Sequence, residues 1–128
     1  MTSIEYKPGN IEDLAAIVGA INLMLAESSL GQATPAKISA LLTSPRCFSR
    51  TVWLGKELIG FIAGAVHDTH FNTDLRVSDL GLYVKEEYRN TVSGARIARQ
   101  LIQDLENWAR SLGVGQVWLG QTTGQSPD

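Results

Sequence analysis

The chain has one cysteine, Cys47, so it closes no disulfide within itself, and its Cys and His residues show no zinc-type spacing. A reducing compartment, the cytoplasm, is the expected location. No apolar run is long enough to span a bilayer. The first residues, MTSIEYKPGN, lack the basic and apolar regions of a secretion signal. No association with a membrane is expected. Neither sign of charge dominates: 11 Lys and Arg stand against 13 Asp and Glu, with a formal net charge of −2. That balance argues against binding nucleic acid through bulk charge. Internal repeats, low-complexity tracts and linkers are also absent.

What is present suits one domain over residues 1–128, with 44% hydrophobic and 19% charged residues. A chain of this length buries roughly two-thirds of its unfolded surface. Ser3 to Lys7 reads as a strand, broken by Pro8-Gly9-Asn10. Asn10 suits a helix N-cap, with Glu12 and Asp13 in the first turn, and Leu14, Val18, Ile21 and Leu25 recur at helical spacing. Thr34 is expected to cap a second helix that has Pro35 at its first position and Ile38, Leu41 and Leu42 on one face. CFSRTVWLG and ELIGFIAGAVHD flank Gly55-Lys56 and predict a hairpin, and LRVSDLGLYV predicts a third strand of that meander. A long helix is expected from about Gly94 to Leu112, buried along Ala98, Leu101, Ile102, Leu105, Trp108, Ala109 and Leu112 and stopped by Gly113. GQVWLGQTT predicts a last strand. The order β-α-α-β-β-β-α-β gives an α+β, or mixed α/β, fold. Its last two strands are expected to be parallel neighbours, because a helix joins them.

The stretch TVSGARIA, at the head of the long helix, stands out. A helix N-terminus exposes unpaired N–H groups and carries about half a positive charge, so it attracts anions. Ser93, Gly94, Ala95 and Ala98 are small, and Arg96 and Arg99 add charge beside them. Gly94 equally suits a loop that needs it only for its turn. The stretch is neither a Walker A loop nor GxGxxG.

The strand ending LYVKEEYR, the small-residue loop, and the run RQLIQDLENWARSLGVGQVWLGQTTG together resemble the GCN5-related N-acetyltransferase superfamily, in particular a phage-type branch of it. The resemblance implies a central mixed sheet flanked by helices, and acetyl-CoA as cofactor. It implies that Leu82, Tyr83 and Val84 align the pantetheine arm by strand-like hydrogen bonds. It implies that Gly94, Ala95, Arg96, Ile97 and Ala98 hold the pyrophosphate, in a loop written Q/R-x-x-G-x-G/A. If Leu101 and Ile102 take the family's paired leucines, Ala98 takes the last small position, Arg96 the first glycine and Ser93 the leading residue. Arg89, after Glu86-Glu87-Tyr88, is the other candidate for that leading position. Thr122, in Thr122-Thr123-Gly124, falls either near the active-site gap or in an ordinary strand exit.

The activity so implied is transfer of acetyl from acetyl-CoA to a primary amine by direct attack, on a small cationic molecule or a lysine. Such a transfer needs a general base within hydrogen-bond reach. Asp79 lies where some relatives carry a basic carboxylate, and otherwise reads as a strand-end residue. His67 and His70 flank a polar connector, and each reads either as a base or as an exposed bystander. No metal is called for. Cys47 has no adjacent base, and Trp53, Trp108 and Trp118 read as packing residues. Superfamily members usually continue into a helix and a final hairpin whose tyrosine protonates the coenzyme thiolate, and no residue here takes that position. A non-catalytic CoA-binding or regulatory module on the same fold is therefore the alternative. The edge from Val117 to Leu119 would lack a neighbour, so a homodimer covering it is expected.

Overall fold

The computed structural model describes residues 3–27, 31–68, 74–114 and 117–119. Strand β1 (Ile4–Pro8) ends where Pro8 and Gly9 turn the chain. Asn10 then caps as expected, accepting a hydrogen bond from the Glu12 N–H at 2.9 Å. A 3-10 turn over Ile11–Asp13 precedes helix α1 (Leu14–Glu27). The buried positions of α1 are Ile17, Ala20, Ile21 and Met24, so of the stripe expected from Leu14, Val18, Ile21 and Leu25 only Ile21 is buried and the other three are half-buried. The reason is composition: LAAIVGAINLMLAE is apolar almost all round, so its spacing does not select a face. Helix α2 (Pro35–Thr43) starts on Pro35 as expected, but the Thr34 side chain makes no cap bond. The Thr34 carbonyl instead accepts from Lys37 and Ile38 at 2.9 and 3.1 Å.

The meander follows as β2 (Cys47–Leu54), β3 (Glu57–Asp68) and β4 (Leu75–Val84). Helix α3 (Val92–Ser111) leads into β5 (Val117–Trp118). The five strands lie in sequence order, β1-β2-β3-β4-β5. The first three pairings are antiparallel. The last is parallel, as expected, with Val77 opposite Val117 and Ser78 opposite Trp118.

Helices cover both faces of the sheet. On one face Ile97, Leu101, Leu105 and Ala109 of α3 pack on Val52, Ile59, Ile62, Val77 and Val84. On the other, Ile17, Ile21 and Met24 of α1 pack on Phe61, Ala63 and Tyr83. Gly64 lets α3 settle: a Cβ there would lie 2.4 Å from the Leu105 side chain. Helix α3 ends as the sequence predicts. Gly113 has φ 77°, and the Gly113 and Val114 N–H groups donate to the Arg110 and Ala109 carbonyls at 2.9 and 3.0 Å. This double bond is the Schellman closure of a helix. Trp53 is buried and donates to Thr51 Oγ1 at 2.8 Å. Trp108 stacks on Phe48 with ring centres 5.5 Å apart. Trp118 departs from the packing role expected of it: it is 51% exposed, beneath the Arg76 guanidinium at 5.0 Å.

Candidate active site

The site grows from the exit of β4. After Val84 the chain makes a 3-10 turn over Glu86–Tyr88 and passes through Asn90, whose φ of 62° is a left-handed conformation that asparagine tolerates. Thr91 caps α3. Its Oγ1 accepts from the Gly94 N–H at 3.0 Å and donates to the Tyr88 carbonyl, and its own carbonyl accepts from Ala95 at 3.0 Å.

These bonds change which amides face outward. The first four N–H groups of a helix are the unpaired ones, counted from its N-cap, and here those belong to Thr91, Val92, Ser93 and Gly94. The Thr91 hydroxyl takes that of Gly94, and the Ala95 N–H makes the first bond within the helix, to the Thr91 carbonyl. The amides of Val92 and Ser93 have no hydrogen-bond partner among the described residues, and both side chains are exposed. Arg96, Ile97 and Ala98, expected to contribute amides, lie beyond the first turn, where N–H groups bond within the helix. Ile97 is buried in the core, Arg96 is exposed and Ala98 is half-buried. Gly94 serves the turn: a Cβ there would lie 1.9 Å from the Tyr88 carbonyl oxygen.

Arg89 is held by three groups. Its Nε donates to the Val84 carbonyl at 2.7 Å, its Nη2 pairs with Glu27 Oε1 at 2.7 Å, and its guanidinium lies 5.9 Å from the Tyr83 ring. Burial pushes the Tyr83 hydroxyl above its ordinary value, Arg89 pulls it back, and Glu27, Glu86 and Glu87 push it further up. Beside this network is an open pocket of about 490 Å³, lined by Leu23, Glu27, Tyr83, Lys85, Glu86, Glu87 and Arg89. Lys85, on its wall, pairs with both Glu57 and Glu87. The pocket lies between the end of α1 and the turn that follows β4.

Leu82, Tyr83 and Val84 lie on β4, with Leu82 and Val84 toward α3 and Tyr83 toward α1. Leu80 is an extra residue between the Ala63–Gly81 and Gly64–Asp79 pairs, so β4 bulges there. Among the described residues no strand pairs with the outer edge of β4 beyond Ser78. Asp79 is half-buried and pairs in register with Gly64, on the α3 side. His67 is exposed on β3, with Nε2 2.7 Å from Ser78 Oγ. His70 and Thr122 lie outside the described residues.

The expectations thus gather into two groups: the head of α3 with the β4 exit, and the outer edge of β4 with His67. The sequence reading did not single out Glu27, Ser78, Thr91 or Val92. Thr91 had a signal, since threonine is a favoured residue at a helix N-cap. Glu27 and Ser78 had none, because each acts through a partner distant in sequence.

Comparison with known proteins agrees with this geometry. The model of the acetyltransferase (GNAT) family matches residues 19–127. A search of curated protein sequences gave no match. Among solved structures, an acetyltransferase from Clostridium acetobutylicum, described with acetyl-CoA, superposes with a TM-score of 0.78 at 15% identity, over 94% of this chain and 82% of that one. An aminoglycoside 6'-N-acetyltransferase from Acinetobacter baumannii superposes with a TM-score of 0.77 at 16% identity, over 93% of this chain and 80% of that one. A transcriptional regulator from Bacillus halodurans C-125 gives 0.75 at 15% identity, over 98% and 86%.

Proposed function

The chain belongs to the GNAT acetyltransferase family, and on that premise we propose that it transfers acetyl from acetyl-CoA to a primary amine by direct attack on the thioester. The observation that carries this reading is the pair of outward amides, Val92 and Ser93, at the head of a twenty-residue helix. Two such N–H groups with the helix dipole behind them suit a diphosphate. The backbone of Leu82, Tyr83 and Val84 would align the pantetheine arm, which sets the thioester near the bulge at Leu80. Ser93 and Arg96, both exposed, flank the same route in this reading, with Arg89 bracing the loop through Glu27. Asp79, His67 and His70 are the candidate bases. A neutral, attacking amine and backbone N–H groups polarising the carbonyl then supply the chemistry.

The acceptor class that suits this site is a small cationic amine or a lysine, given the exposed carboxylates of Asp68 and Asp74 at the end of β3 and just before β4. Aminoglycosides, which the Acinetobacter protein's name gives as its substrates, are polyamines of that class. The test is a thermal shift. Acetyl-CoA should raise the Tm of the wild type, and Ser93→Asp should abolish the rise. An acid at this position favours the helix dipole, so lost binding would not reflect a weakened helix. No shift in the wild type at millimolar ligand refutes the cofactor. A homodimer belongs to the same proposal: β5 is the outer strand among the described residues, and Trp118 and Leu119 are 51% and 48% exposed. Sedimentation at micromolar concentration should give twice the chain mass, and a monomer refutes it.

A further inference from the structure

Away from the helix head, one pair of side chains has the geometry of a proton relay. His67 Nε2 lies 2.7 Å from Ser78 Oγ, and its Nδ1 lies 3.1 Å from the Asp68 carbonyl oxygen. A carbonyl oxygen only accepts, so Nδ1 carries a proton, and in the neutral ring, the form that acts as a base, Nε2 presents its lone pair. The Ser78 hydroxyl therefore donates to His67. Its oxygen keeps lone pairs for an incoming N–H, and among the described residues nothing else bonds to it. Orienter, base and hydroxyl stand in a row, and each is fixed by the one before it.

Their place in the fold matters as much as their spacing. Ser78 is the last residue of β4 paired with β5, opposite Trp118. The bulge at Leu80 follows, about 7 Å further along the strand. The hydroxyl thus stands where the outer edge of β4 loses its neighbour. Among the described residues, the charged groups around His67 are Arg76, opposite it in register, the adjoining Asp68, and Arg46, whose guanidinium reaches the Val66 carbonyl at 3.4 Å. Asp79, the next residue, pairs toward α3 and away from His67.

We propose that Ser78 and His67 are the general-base relay of the acyl transfer, an assignment that rests on the acetyl-CoA reading above. The acceptor amine donates its N–H to Ser78 Oγ. As its nitrogen bonds to the thioester carbonyl carbon, that proton passes to Oγ while the serine's own proton passes to His67 Nε2. The C–S bond then breaks. The coenzyme sulfur leaves with the electron pair and takes a proton from the imidazolium through water, so His67 ends neutral and the products are amide and free thiol.

The experiment follows thiol release from acetyl-CoA by the full chain, with water alone and with kanamycin, spermidine and a lysine-containing peptide as acceptors. His67→Ala, at an exposed position, should slow release about 10²-fold, and imidazole in the buffer should restore part of the rate. Ser78→Ala should slow it as well. Both variants should keep the acetyl-CoA thermal shift of the wild type. The relay is overturned by an unchanged rate in His67→Ala, by a loss that imidazole does not repair, or by a wild type that binds acetyl-CoA and releases no thiol. An acetyl group trapped on Ser78 by intact mass also overturns it, in favour of a covalent route. Absence of the wild-type thermal shift is a separate failure, of the cofactor itself.

Discussion

Gly94 shows how one residue can be singled out correctly and explained differently by its surroundings. Its lack of a side chain suggests room for an anion. In the structure the room is already taken, by the Tyr88 carbonyl 1.9 Å from where a Cβ would stand. Gly94→Ala must therefore push α3 off its cap, and should cost about 3 kcal/mol, the upper part of the usual overpacking range. A urea titration against wild type measures this, and a change under 0.5 kcal/mol contradicts it. Ser93, its exposed neighbour, carries the outward amide and is the residue to vary for the ligand. Thr91 links the two, since one hydroxyl both caps Gly94 and ties back to Tyr88. A pattern of small residues pointed to this turn, but hydrogen bonds decide which amides face out, and those follow from the path of the preceding 3-10 turn.

At the scale of elements, the meander and the long helix were legible because their patterns are unambiguous. The β3 and β4 runs end where the sequence places them, at Asp68 and Val84, and Gly113 stops α3. Helix α1 was legible as a helix and illegible as a face, because apolar residues surround it. The joint between α1 and the β4 exit was not legible at all. It rests on Arg89, gripped by Glu27 and the Val84 carbonyl, and no local pattern records a pair so far apart in the chain. The side chains of Arg89 and Glu27 are 17% and 27% exposed, so the pair is screened only in part. A double-mutant cycle with Arg89→Met and Glu27→Gln should give a coupling of about 1 kcal/mol by chemical denaturation. Additive effects would show that the two elements are joined by packing alone.

For the whole molecule, the arrangement of layers gathers the proposed functions around one strand, with His67 on its neighbour β3 and the amides of Val92 and Ser93 beyond its exit. Strand β4 carries the bulge, the Ser78 hydroxyl and the exit toward the helix head, and helices on both faces of the sheet hold it in place. The overall order of elements was readable from the sequence, since a helix between the last two strands suits a crossover that sets them parallel, as they are. The bulge was not, because Leu80 sits in an alternation that looks regular until β3 is laid beside it. The edge chemistry was likewise hidden, since His67 and Ser78 meet only through strand register.

The position of Trp118 gives the molecule a built-in optical reporter. Its indole is half in solvent beside the opening of the β4 edge, whereas Trp53 is 7% exposed and Trp108 is stacked on Phe48. A coenzyme entering between β4 and β5 would shield that ring, so the emission maximum should move to shorter wavelength on titration. The shift should vanish in Trp118→Phe, and persistence there would place the signal, and the bound molecule, elsewhere.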